Sequence, residues 1–164
     1  MLEMKNVTYI YEDQTVALKD ISMDLSKGSC IGIIGSNGAG KSTLFLNFTG
    51  VLRPKQGQIF YDEKPMKYDK ASLRELRKQV SIVFQDPDKQ IFFSKVYDDV
   101  AFALRNLGVD EKEINHRVNI ALASVGAKDF ADKPVHFLSH GQKKRVAIAG
   151  VIAMDSEIIF MDEP

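Results

Sequence analysis

The chain has 164 residues, 45% hydrophobic and 27% charged, the balance of a globular domain able to bury a core. Its 22 lysines and arginines match its 22 aspartates and glutamates, so the formal charge is zero and nothing in the composition asks for nucleic acid as a partner. Cys30 is the only cysteine, which excludes an intramolecular disulfide and a thiolate metal cluster and suits a reducing compartment.

Met1, Leu2, Glu3, Met4, Lys5 and Asn6 supply neither the basic nor the apolar region of a secretory signal. Residues 2–9 predict a strand, and Ile21, Ser22, Met23, Asp24 and Leu25 alternate strictly, which predicts another strand with one wet face. After Lys27 and Gly28, the apolar run Ser29, Cys30, Ile31, Gly32, Ile33 and Ile34 reads as a buried strand. Thr43 to Phe48 continue as a helix, and Gln58, Ile59, Phe60 and Tyr61 follow a turn at residues 54–57 as a third antiparallel strand.

Between the buried run and the helix stands Gly35-Ser36-Asn37-Gly38-Ala39-Gly40-Lys41-Ser42, which fits G-x-x-x-x-G-K-[ST] at every fixed position. Glycines let the backbone wrap phosphate oxygens closely, with successive N–H groups turned inward as an anion nest. Lys41 adds a point charge for the outer phosphates, the Ser42 hydroxyl suits Mg²⁺, and the helix N-terminus faces the anion. The pattern predicts a nucleoside triphosphate site. A dinucleotide loop is excluded, because Gly38 and Gly40 open a G-x-G but Thr43 stands where the last glycine is required.

Further along, Ser72 and Glu75 have capping-box spacing at the start of a short helix, and Val80, Ser81, Ile82, Val83 and Phe84 read as a strand. The middle is helical. Val96, Val100, Leu104 and Leu107 share one helix face closed by Gly108; Asp110 and Glu113 cap the next, striped by Ile114, Val118, Leu122 and Val125 and ended by Gly126. An apolar helix over 143–154 is too short to span a bilayer, so any membrane role is expected to come by recruitment. The strand Ile158, Ile159, Phe160 and Met161 then delivers Asp162 and Glu163 at its carboxyl end, where ligands of open α/β sheets sit. Beside a phosphate loop, Asp162 suits a Mg²⁺-bound water and Glu163 the polarisation of an attacking water.

Leu138-Ser139-His140-Gly141-Gln142, running into Lys143-Lys144-Arg145, has a plain reading as a helix N-cap at Ser139. In series with the phosphate loop, with Gln85 at the end of its strand, with Asp162-Glu163 and with Tyr11, it resembles the ATP-binding cassette family, whose signature motif this pentapeptide matches. Val83 to Phe92 and Gly141 to Gly150 are similar to the ATPases of energy-coupling-factor and cobalt/nickel importers. The resemblance implies an α/β P-loop NTPase with a mainly parallel core sheet, an N-terminal antiparallel β-subdomain and a helical signature subdomain at about 86–142. One ATP-binding domain over 1–164 is expected, with the C-terminal part of the core missing.

The same resemblance implies ATP and Mg²⁺ as cofactors. Tyr11 would stack on adenine, with Tyr9 as competitor for that role; Gly35, Ser36, Asn37, Gly38, Ala39, Gly40, Lys41, Ser42 and Thr43 would hold the phosphates. Gln85 would contact Mg²⁺ or the lytic water, with Ser42 and Asp162 as its companions at the metal; Glu163, Gln85 and Lys41 would carry catalysis. Ser139, His140, Gly141 and Gln142 would close over ATP bound to a second ATPase subunit. The implied partners are that subunit, a transmembrane coupling protein and a substrate-binding membrane subunit, with no nucleic acid, at the cytoplasmic face of the membrane. Ile91, Phe92, Phe93 and the helix over 94–107 are either the docking surface for the transmembrane partner or part of the helical core.

Two departures stand out. His140 occupies a position where the family usually has glycine, and it either points outward or titrates near the nucleotide interface. The residues end at Pro164, before a loop and a histidine that family members carry, so this chain is expected to bind nucleotide better than it hydrolyses it. Rival readings are a soluble cassette ATPase acting on nucleic acid or ribosomes and a nucleotide-binding module without efficient hydrolysis.

Overall fold

Alternation is broken at Asn6 in the first strand, the first of three places where its pairing with the next strand shifts. In β1 (Leu2–Ile10), Leu2 and Met4 are buried with period two, but Asn6 adopts φ 49 and the next inward residue is Val7. The pairing with the neighbouring strand β2 (Val16–Asp24) shifts there, so the extra residue is a bulge that returns Val7 to the apolar face. The structure is a computed structural model and describes residues 2–25 and 30–163. Lys27, Gly28 and Ser29, expected to open the buried strand, lie outside the described residues.

The chain forms two compact units, residues 1–78 and 79–164. In the first, α1 (Lys41–Phe48) follows the phosphate loop, and β3 (Gln56–Tyr61) and β4 (Lys64–Pro65) complete an antiparallel sheet of order β2-β1-β3-β4. Leu2, Met4, Val7, Leu18 and Ile59 from the sheet and Leu44, Phe45 and Phe48 from α1 are buried. Next comes α2 (Lys70–Gln79), which starts earlier than the Ser72–Glu75 capping box required. Asp69 caps it instead, its carboxylate accepting the Ser72 N–H at 3.0 Å, while Glu75 lies in the second turn and binds Lys78 at 2.8 Å.

Residues 30–34 are not a strand. They are irregular, with Ile31 46% and Ile34 99% exposed, where a buried strand was expected. An apolar run without alternation is the pattern of a strand covered on both faces, and it needs ladder partners on both edges to hold that form. Among the described residues, no strand pairs with it.

The second unit is built on a parallel pair, β5 (Val80–Val83) and β6 (Ile158–Met161), in register from Val80↔Ile158 to Val83↔Met161. Three helices accompany it: α3 (Val96–Leu107), α4 (Glu111–Ser124) and α5 (His140–Ala153). Val96, Val100, Leu104, Ile114, Val118, Leu122, Val146 and Ala149 are buried together, so the predicted stripes are core. Gly108 closes α3 in the left-handed region at φ 79, and the Asp110 carboxylate opens α4 by accepting from the Lys112 and Glu113 N–H groups. Among the described residues no helix is long and apolar enough to cross a membrane.

Candidate functional site

The phosphate loop ends on a helix that lacks any side-chain cap. Gly40 is the N-cap of α1 in the left-handed conformation (φ 88), without a capping side chain and without an acidic residue in the first turn. The first N–H groups of a helix have no partner inside it, so the start of α1 carries donors and a positive dipole end that suit an anion. Gly40 is required twice over: its φ excludes most side chains, and a methyl there would lie 2.6 Å from the Ala17 carbonyl oxygen of β2. Gly38, at φ 81, has open space around its α-carbon.

Lys41 folds back over the loop, its ammonium donating to the carbonyls of Gly35 (2.9 Å) and Ser36 (3.0 Å). Ser42 is exposed and Thr43 buried. The Tyr11 hydroxyl and the Thr43 hydroxyl share a hydrogen bond of 2.8 Å, which ties the residue after β1 to the start of α1. Tyr9 meets Tyr11 edge to face, with ring centroids 5.0 Å apart. Of the two tyrosines, it is therefore Tyr11 that is anchored to the helix behind the loop.

In the second unit, the carboxyl ends of β5 and β6 lie side by side because the strands are parallel and in register. Gln85 and Glu163 follow those ends, and the Gln85 amide donates to the Glu163 carboxylate. The Asp162 N–H continues the ladder to the Val83 carbonyl at 3.0 Å, and its side chain is buried. Glu163 stands at φ 48, a left-handed position uncommon for a non-glycine residue.

Helix α5 opens with a capping box: the Ser139 hydroxyl oxygen accepts the Gln142 N–H, and the Gln142 side chain accepts the Ser139 N–H at 2.9 Å. The N-cap reading of this motif therefore holds. His140 and Gly141 are exposed at the first turn. The Ser139 hydroxyl accepts through its oxygen here and still carries one proton that it can donate.

Several bonds were not legible in the sequence. Lys143 pairs with Asp88 at 2.7 Å, and Gln90 accepts from the Phe84 N–H and donates to the Ala147 carbonyl. Lys144 reaches the carbonyls of Phe84 (3.0 Å), Gln85 (2.9 Å), Glu163 (3.0 Å) and Asp162 (3.5 Å). The available signal was position: Lys144 continues the buried stripe of Ala147 and Val151 one turn toward the helix start, where a lysine must find oxygen partners.

Beyond Gln85 the chain exposes aromatics. Phe92 is 77% exposed, while Ile91 packs against the helical core and the Phe93 ring meets Phe102 at 5.1 Å. One Asp99 carboxylate oxygen accepts the N–H groups of Phe92 (2.8 Å) and Phe93 (3.1 Å), fixing this loop to α3. Burial pushes the Asp99 carboxyl above its ordinary value, against those two bonds, which lower it.

Ser42 and Asp162 offer hard oxygen atoms of the kind Mg²⁺ selects, and the ion keeps most of its coordination for phosphates and water. It therefore needs no cluster of three acidic, histidine or cysteine side chains, and none exists among the described residues. Each of these oxygens, taken by itself, is of a type that the ion accepts.

The profile of the ABC transporter family matches residues 18–164. The chain belongs to that family. Over all 164 residues it is 52% identical to the energy-coupling factor transporter ATP-binding protein EcfA of Methanocaldococcus jannaschii and 48% identical to EcfA3 of Clostridium perfringens. It covers 59% and 58% of those proteins, so the chain spans about three-fifths of the length of the curated relatives it matches. Among solved structures, cbiO1 of Clostridium perfringens, part of the ABC transporter complex cbiONQ, superposes with a TM-score of 0.85 at 48% identity. That match covers 99% of this chain and 65% of the other. A dimeric ATP-binding cassette in a post-hydrolysis state, bound to ADP and phosphate, gives a TM-score of 0.89 at 28% identity, with 99% and 73% coverage. The fold is thus that of an ABC ATPase cassette, as the motif order implied.

Proposed function

We propose that this chain is the ATP-binding portion of an ATPase subunit that energises an energy-coupling-factor type importer of metal ions or vitamins, peripheral on the cytoplasmic face of the membrane. The observation that carries the reading is the Gln85 amide held on the Glu163 carboxylate at the ends of two parallel strands, in a chain whose loop 35–42 is built for phosphates.

In this reading the N–H groups of Gly38, Ala39, Gly40, Lys41, Ser42 and Thr43 receive the phosphates, with Gly35, Ser36 and Asn37 shaping the loop, and Tyr11 receives adenine on its ring. Ser42 and Asp162, with Gln85, would hold Mg²⁺, which when bound neutralises phosphate charge. Glu163 takes a proton from the water that attacks the γ-phosphorus in line, the bond from that phosphorus to the β–γ bridging oxygen breaks and ADP leaves, and Gln85 orients the water. Lys41 stabilises charge on the outer phosphate oxygens. Ser139 donates its hydroxyl proton, and Gly141 its N–H, to ATP on a second ATPase subunit, with His140 and Gln142 at the same edge. Phe92 and its neighbours on α3 form the face for a transmembrane coupling protein, which in turn serves a substrate-binding membrane subunit.

Glu163→Gln in the full-length protein tests the reading. It keeps the size and the hydrogen-bonding oxygen but cannot accept the proton, so steady-state ATP turnover is expected to fall by about 10²–10⁴-fold with ATP still bound. Turnover at the level of the unaltered protein would refute it.

A further inference from the structure

We propose that Lys144 is a positioning residue for hydrolysis: its ammonium, bound to the backbone carbonyls of both Gln85 and Glu163, fixes the Gln85 amide against the Glu163 carboxylate. The inference rests on the reading of Glu163 and Gln85 given above.

The parallel ladder between β5 and β6 makes its last bond from the Asp162 N–H to the Val83 carbonyl, and among the described residues no further backbone bond joins the two segments beyond it. Phe84, Gln85, Asp162 and Glu163 there direct four carbonyl oxygens toward one region, all within 3.5 Å of a single ammonium. Like partial charges converging on one point repel, and a cation among them reverses the sign of that interaction. An ammonium has three protons, so one is shared, and the 3.5 Å bond to Asp162 is the weakest.

Glu163 is bracketed by this arrangement. Its side chain is held by Gln85, its carbonyl by Lys144 at 3.0 Å, and its backbone stands at φ 48. The left-handed region is uncommon for a glutamate, and these two bonds help to hold Glu163 in it. Lys144 projects from α5, the helix that begins at Ser139, and Lys143 beside it pairs with Asp88 in the segment after Gln85. The helix that carries the signature residues therefore also sets the geometry of the general base.

The test uses the full-length protein with Lys144→Met, which keeps the aliphatic stem and removes the charge, Lys144→Gln, which keeps a neutral donor, and Lys144→Arg, which keeps the charge. Steady-state ATP turnover, binding of a fluorescent ATP analogue and thermal unfolding are measured for each. Expected for Lys144→Met is a fall in kcat of about tenfold or more with KM and analogue affinity within about twofold, and recovery to within about threefold in Lys144→Arg. Added to Glu163→Gln, Lys144→Met is expected to cause no further loss, because it acts through that carboxylate. Should Lys144→Met not fold, Lys144→Gln is read by the same criteria. An unchanged kcat in Lys144→Met, a loss shared equally by kcat and affinity with a matching drop in thermal stability, or a full additional loss on top of Glu163→Gln would each overturn the proposal. Wild-type turnover in Glu163→Gln alone would instead remove the reading beneath it.

Discussion

Gly38 and Gly40 share a loop, a sign of φ and a place in one motif, yet alanine should affect them unequally. Both stand in the left-handed region, at φ 81 and φ 88, and an L-residue there costs about 1–2 kcal/mol. Around Gly38 a methyl group meets nothing within 4 Å, so Gly38→Ala is expected to cost that amount and no more. At Gly40 the methyl would sit 2.6 Å from the Ala17 carbonyl oxygen and 3.3 Å from Leu18 Cδ2. The first neighbour is backbone of a paired strand and gives way poorly, so overpacking adds about 1–3 kcal/mol. Two outcomes share that cost: either β2 is strained and global stability falls, or α1 is pushed off β2 and the loop loses its shape for phosphate. Urea unfolding and ATP affinity, measured on both variants, capture the two together. Gly40→Ala should exceed Gly38→Ala in the summed loss by a margin of about 1 kcal/mol or more. Equal losses in stability and equal losses in affinity would refute the steric argument.

Two further outcomes follow from hydrogen bonds in the structure. Asp99→Asn keeps the oxygen that accepts from Phe92 and Phe93 but cannot ionise. Burial raises the folded-state carboxyl above its unfolded value, so wild-type stability contributed by this group is present below the unfolded value and lost as pH rises through the folded one. The Tm of Asp99→Asn relative to wild type should therefore rise from acid toward neutral pH, and a constant difference would contradict the assignment. Tyr11→Phe removes the bond to Thr43 and is expected to cost about 1 kcal/mol in chemical unfolding. With the ring retained, ATP affinity should hold in Tyr11→Phe and fall in Tyr11→Ala; a fall in both would move adenine stacking away from this ring.

The elements with local causes were legible from residue order. Gly108 and Asp110 mark the turn between α3 and α4 because one admits a left-handed backbone and the other caps with its own carboxylate, and both effects act within a few residues. The capping box of Ser139 and Gln142 is of the same kind. Residues 30–34 failed for the opposite reason: their strand character depends on distant partners that local pattern does not reveal. Asp69 displaced Ser72 as a cap because one turn of helix decides which oxygen faces the free N–H groups, and the spacing of Ser72 and Glu75 satisfied the rule equally well on paper. At the site, the identities of Gln85, Asp162 and Glu163 came from motif order, whereas the ties of Lys144 to Gln85, Gln90 to Ala147 and Lys143 to Asp88 join residues more than fifty positions apart and needed the fold to be seen.

The Lys41 ammonium binds the Gly35 and Ser36 carbonyls, so two peptide oxygens of the loop already share one cation. An anionic oxygen brought to Lys41 would therefore exchange for a peptide oxygen rather than meet a bare charge. The exchange would be driven by the full charge on the incoming oxygen set against the partial charge of a peptide carbonyl.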